Sequence, residues 1–167
     1  MKHIKILLMF ICLTFTQWSA ACDCESQGNF LKVAEKTQFV ALIKVTKYLT
    51  FKDIYNENMP MSMEVEIVAV YKGQETRKKV TVWGDNGILC RPYLSTFKTG
   101  NYYVIAFNRA SETSRGLASE GEKDSDYSIS ICGEYWLEAD MQRKTAKSPT
   151  TTYQTQLKLK ELKLAFR

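Results

Sequence analysis

Two cysteines one residue apart, Cys22 and Cys24, follow directly on an apolar leader. No other feature constrains the chain as much. The first residues carry Lys2 and Lys5. An apolar run extends from Ile6 to Phe15, and "TQWSAA" closes it with small residues at Ser19 and Ala21. This is the pattern of a secretory signal peptide over residues 1–21, with cleavage expected after Ala21. The apolar run is shorter than the about 20 residues needed to span a bilayer, so no transmembrane anchor is expected. Cleavage there makes Cys22 the first residue of the mature chain. A lipid-anchored form acylated on Cys22 is the rival reading. Its peptidase prefers an aliphatic residue three positions earlier, where this chain has Ser19.

Export gives the remaining cysteines a meaning. Cys12 lies in the leader, which leaves Cys22, Cys24, Cys90 and Cys132, an even set in an oxidising compartment. A Cys22–Cys24 bridge would close a very small, strained ring and is set aside. The N-terminal pair must then reach Cys90 and Cys132, in one order or the other. Either order ties two distant segments to the start of the mature protein.

The same cleavage removes whole classes of chemistry. The only histidine is His3, so the mature chain has no imidazole for a Ser-His, Cys-His or zinc-His arrangement. There is no P-loop or dinucleotide fingerprint. The chain is therefore not expected to be an enzyme or to hold a cofactor. Loss of Lys2 and Lys5 lowers the net charge from +5 to +3, too mild to indicate nucleic acid as a partner. No Asn-x-Ser/Thr acceptor occurs.

Hydrophobic patterning predicts a mainly β chain. A short helix is expected within "GNFLKVAEKTQF", with Phe30, Leu31 and Ala34 on one face. Strands are expected at "FVALIKVTKY", "MEVEIVAVYKG", "KKVTVWGD", "NYYVIAF" and "YSISICGEY". In the second, Val65 and Ile67 face one way and Glu64 and Glu66 the other. In the fifth, Ile129 and Ile131 are expected on one face. Residues 49–62, polar, aromatic and interrupted by Pro60, read as a loop, and so does the polar stretch 108–126. The tail offers Thr caps and a helical stripe of Leu157 and Leu164, while Leu159 and Leu162 also allow a strand near its centre. Five modest strands and a tethered N-terminus point to a five-stranded OB-fold-like Greek-key barrel with flanking helices. Trp83, Trp136, Tyr102 and Tyr103 are read as core rather than as a stacking platform. Lys44, Lys47, Lys78 and Lys79 offer a surface for acidic glycans or extracellular matrix, although scattered lysines more often form a solvated face.

The Cys-x-Cys start, "VYKGQ", "GDNGILC", "NYYVIAF" and "SISICGEYWLE" occur in an order that resembles the netrin-like module. Within it, the chain most resembles the N-terminal domain of the tissue inhibitors of metalloproteinases. The resemblance covers residues 22 to about 137 and implies a domain over 22–138. Residues 139–167 are then a C-terminal extension, expected to be partly helical and packed on the barrel.

The resemblance implies the pairs Cys22–Cys90 and Cys24–Cys132. It implies a secreted metalloprotease inhibitor in which the amine and carbonyl of Cys22 are ligands to the catalytic zinc of the partner enzyme. Asp23, Cys24 and Glu25 would lie along the substrate cleft. Asn86, Gly87, Ile88 and Leu89 would lie beside them, and the segment 49–62 would touch the enzyme's flank. The alternative is a netrin-like binding module for another protein or a glycan. Three departures stand out: Asp23 replaces the family's usual small hydroxyl residue, an additional cysteine pair is missing, and the cysteine-rich C-terminal domain is absent.

Overall fold

A computed structural model describes residues 22, 24–114 and 116–166. The chain folds into helix α1 (Phe30–Lys36), strands β1 (Phe39–Ile54), β2 (Glu57–Lys72) and β3 (Lys79–Trp83), and a 3₁₀ turn at Leu94–Thr96. These are followed by β4 (Tyr102–Arg109), α2 (Ala110–Ser114), β5 (Tyr127–Ser128), β6 (Trp136–Asp140), β7 (Thr145–Lys147), β8 (Gln156–Lys158) and α3 (Leu159–Ala165). The strand order is β1-β2-β3-β5-β4, and β4 pairs back onto β1. β3 and β5 run parallel, and the other barrel pairs are antiparallel. This is a closed five-stranded mixed barrel of the expected class. Closure removes the free sheet edges that a small open sheet would leave unpaired.

Period-two patterning builds the barrel interior. Val65 is buried while Glu66 and Val68 are exposed, as the alternation in β2 requires. Val40, Ile43 and Val45 from β1 meet Met63, Val65, Val82, Val104 and Ile105 in one cluster. The aromatics extend it. Tyr103 is buried in it, and Trp136 lies edge-on to Phe97 at 5.3 Å between ring centres, while Trp83 is buried in a second, smaller cluster. Helix α1 contributes Phe30, Val33 and Ala34, with Leu31 half-buried. Its first turn is capped by Asn29, whose side chain accepts from the Lys32 amide at 3.2 Å.

Four expectations are corrected. Residues 49–62 are not a loop: they complete a hairpin of two 16-residue strands. Its tip is a two-residue turn in which Tyr55 and Asn56 both have positive φ, with the Asn56 amide donating to Asp53 Oδ1 at 3.0 Å. Pro60 is accommodated because it lies next to a register irregularity and outside the β2 residues that pair with β3. The single fifth strand is two short strands, β5 and β6. Residues 129–135 between them leave the ladder, burying Ile129 and leaving Ile131 44% exposed. The stretch 108–126 is not wholly a solvated loop, because α2 and the buried Ala110, Ser114 and Asp126 lie within it. In the tail, Leu162 enters the core while Leu164 is exposed. The N-cap of α3 is Lys158, whose amide donates to Glu161 Oε2, rather than a Thr.

Beyond the barrel, β6, β7 and β8 continue the sheet from β4. Glu134 fastens this addition to α1. Its buried carboxylate accepts from the Phe30 amide at 3.0 Å and from the hydroxyls of Ser148 and Thr155. Among the described residues, no helix is long and apolar enough to cross a membrane.

The parallel β3–β5 junction is held by a charged cluster. The guanidinium groups of Arg77 and Arg109 lie 5.7 and 4.8 Å from the centre of the Tyr127 ring. Glu75 accepts from Arg77 at 2.6 Å and from the Tyr127 hydroxyl at 2.8 Å. The Arg77 hydrogen bonds hold the Glu75 carboxyl well below its ordinary value, at about 2. Because the folded value lies below the unfolded one, Glu75 stabilises the fold above the ordinary glutamate range and loses that contribution as pH falls toward 2. Arg77 is more than a third exposed, so solvent screening limits the effect to about 1–2 kcal/mol. Urea unfolding at pH 7 and pH 2.5 should show a smaller loss of stability in Glu75→Gln than in the wild type.

Candidate functional site

The start of the described chain is held against the barrel by two disulfides lying side by side. Cys22 pairs with Cys90 and Cys24 with Cys132, at Cα–Cα distances of 5.4 and 5.6 Å. The pairing left open by cysteine arithmetic is therefore the one that the resemblance implies. The sulfur atoms of Cys24, Cys90 and Cys132 lie within 4.8 Å of one another. All three belong to the bridges, so the cluster is a covalent knot rather than a set of free thiolate ligands. Two disulfides also mark a chain that matures in an oxidising compartment.

Backbone contacts extend the anchorage. The Gln27 amide donates to the Cys132 carbonyl at 2.6 Å, and the Glu134 amide donates to the Gly28 carbonyl at 3.0 Å. The Tyr135 hydroxyl donates to Gln27 Oε1 at 2.8 Å. Gly133 makes this crossing possible. A Cβ at that position would sit 3.2 Å from the Gly28 carbonyl oxygen and 3.0 Å from a Val33 methyl. Cys22, Cys24 and Glu25 remain exposed on this scaffold, and Asp23 lies outside the described residues.

The loop before Cys90 has its own internal framework. Asp85 Oδ1 accepts from the Leu89 amide at 2.7 Å, and Asn86 Oδ1 accepts from the Ile88 amide at 3.3 Å. Gly87 takes a φ of 100°, which a side chain would strain. Leu89 then points inward at 5% exposure while Ile88 stands out at 64%. The Ile131 amide donates to the Cys90 carbonyl at 3.2 Å, bringing the segment around Cys132 to the same place. Cys22, Cys24 and the loop 86–89 thus share one end of the barrel.

The hairpin flanks that end. Ile54 at its tip is buried with Met61, Trp83 and Ala110, and its methyl groups lie about 4 Å from where a Cβ on Gly87 would be. Along the hairpin Leu49, Phe51 and Tyr55 are exposed.

Beneath the loop lies a feature absent from the sequence-based expectations. The Arg91 guanidinium, next to Cys90, donates to both Glu122 carboxylate oxygens at 2.7 and 3.1 Å. It also donates to the Ala110 carbonyl at 2.8 Å and to Thr113 Oγ1 at 2.9 Å. Both charged side chains are 1% exposed. The pair bolts the Cys90 segment to α2 and to the turn around residue 119, where the Ser119 amide donates to Glu122. The only sequence signal was an arginine inside the otherwise apolar "GILCRPYL". Its partner sat in a stretch with no periodicity.

Lys44, Lys47 and Lys79 do not form an uncompensated patch. Lys44 pairs across the sheet with Glu66, Lys47 with Glu64, and Glu66 with Lys79. Lys79 donates to Glu64 at 2.8 Å, which together with Thr46 draws the Glu64 carboxyl below its ordinary value. Signs thus alternate along this face.

In comparisons by sequence, no family model matches the chain and no curated protein matches it.

Proposed function

We propose that the protein is a secreted inhibitor of zinc metalloproteases, acting through the amine and carbonyl of Cys22 after removal of residues 1–21. The observation that carries this reading is the two side-by-side disulfides, which fix an exposed Cys22 and Cys24 beside the exposed Ile88 loop. A catalytic zinc keeps an open position for water or substrate. The α-amine and carbonyl of one residue together form a bidentate ligand that displaces that water. Cross-linking on both sides of Asp23 removes freedom that would otherwise be lost on binding. The reading supports a partner-directed ligand and gives the chain no catalytic activity of its own. It belongs with an extracellular location, because the amine is free only after export and cleavage.

Asp23 sets the specificity. As the second residue it would enter the pocket of the enzyme that receives a substrate side chain. A carboxylate there is disfavoured by an apolar pocket and by the enzyme's own catalytic glutamate. Asp23→Thr is expected to tighten inhibition of matrix-type metalloproteases by about ten- to a hundredfold, corresponding to about 1–3 kcal/mol. Titration of the cleaved wild type and this variant against a panel of zinc metalloproteases tests the reading. Inhibition by the wild type alone would assign a basic pocket to the target. If neither protein inhibits any member, the inhibitor reading fails and a netrin-like binding module replaces it.

A further inference from the structure

We infer that Leu117, on the turn following α2, is a specificity-determining contact residue, and that it extends the inhibitory surface along a cleft that Cys24 also lines. The inference rests on the inhibitor reading. It arises from a stretch that sequence patterning marks only as polar loop.

Leu117 is 51% exposed, a large aliphatic side chain with no core to fill. Its backbone, in contrast, is held. The Leu117 amide donates to the Ser114 carbonyl at 2.8 Å, and the Leu117 carbonyl accepts from Asn86 Nδ2 at 3.1 Å. Asn86 is the same residue that shapes the Ile88 turn. The buried Arg91–Glu122 pair secures both ends of this arrangement, one next to Cys90 and the other beyond Ser119. An exposed leucine on so well anchored a turn loses little freedom when it is covered.

Leu117, Ile88, Cys24 and Gln27 all line one cleft of about 520 Å³, with Leu89 and Tyr135 also lining it. The N-terminal segment, the Ile88 loop and the Leu117 turn therefore border one concavity. A metalloprotease whose zinc is reached by Cys22 must bring the rim of its substrate cleft over this concavity. The chemistry that fits two exposed branched aliphatic residues is an aliphatic or aromatic side chain on that rim. A protease with a charged rim residue there is discriminated against, because Leu117 and Ile88 offer it no partner.

The test uses the cleaved protein, carrying Asp23→Thr if only that form inhibits, and the catalytic domain of the zinc metalloprotease that it inhibits most tightly. Leu117→Glu should weaken inhibition by about tenfold or more. Leu117→Met, which keeps an apolar side chain, should retain it. Leu164→Glu, at a still more exposed leucine on α3, should change nothing. Thermal unfolding midpoints of all three should match the wild type. Inhibition by Leu117→Glu equal to that of the wild type would overturn this inference and leave the Cys22 reading standing. Absence of inhibition by both the wild type and Asp23→Thr would remove both.

Discussion

Replacing Arg91 by Met is expected to destabilise the protein by about 3–5 kcal/mol, because it leaves the Glu122 carboxylate buried without its counter-charge. The guanidinium now donates to four acceptor atoms at once: two carboxylate oxygens, a backbone carbonyl and a threonine hydroxyl. Lysine cannot reproduce that planar fork, so Arg91→Lys should recover only part of the loss. The double variant Arg91→Met, Glu122→Leu removes both charges and should be markedly more stable than the single variant. Equilibrium urea unfolding gives the comparison. A loss below about 1 kcal/mol in the single variant would show that water enters and solvates Glu122. Partial loss of the pair should also loosen the Asn86–Leu89 loop, since Arg91 follows directly on Cys90 and its amide donates to the Leu89 carbonyl.

This pair also shows what the sequence hides. Strand patterning in β2 was legible because a half-buried strand alternates, and β4 because a short run of Tyr, Val and Ile favours a strand buried on both faces. The barrel followed from the number and order of such strands. The long hairpin was not legible because, toward its tip, the β1 arm is exposed on both faces. From Leu49 to Asp53 every residue of β1 is exposed, so no alternation marks the strand there. Tyr55 is also an unusual choice for a turn that demands positive φ. The fifth strand was overextended because the apolar "ISI" of residues 129–131 reads as strand, whereas the Cys24–Cys132 bridge and the crossing over Gly133 pull the chain out of the ladder. In the tail, β8 and α3 share residues of similar leucine content. Only packing against the core selects Leu162 over Leu164.

The candidate site was legible at its covalent points. Two cysteines separated by one residue cannot bridge each other easily, and the other two lie far along the chain. Spacing left the order of pairing open, and the fold resolves it. Leu117 and Glu122 could not be found from the sequence, since a turn held by side-chain hydrogen bonds leaves no hydrophobic period.

The second large effect concerns the amine of Cys22. One alanine added before Cys22, or acetylation of its amine, is expected to abolish inhibition, a loss of at least about a thousandfold. The added group converts the amine to an amide, which has no available lone pair, and it occupies the space that the zinc would take. The fold should be unaffected. Cys22 is exposed, and its anchorage comes from its side-chain sulfur and from contacts beginning at Gln27. The most direct measurement is therefore a side-by-side titration of cleaved, alanine-extended and acetylated protein against one susceptible zinc metalloprotease, with unfolding midpoints recorded for each. Tight inhibition by the cleaved form alone and equal midpoints for all three are expected. Inhibition by the extended protein as strong as that of the cleaved form would contradict chelation through the Cys22 amine.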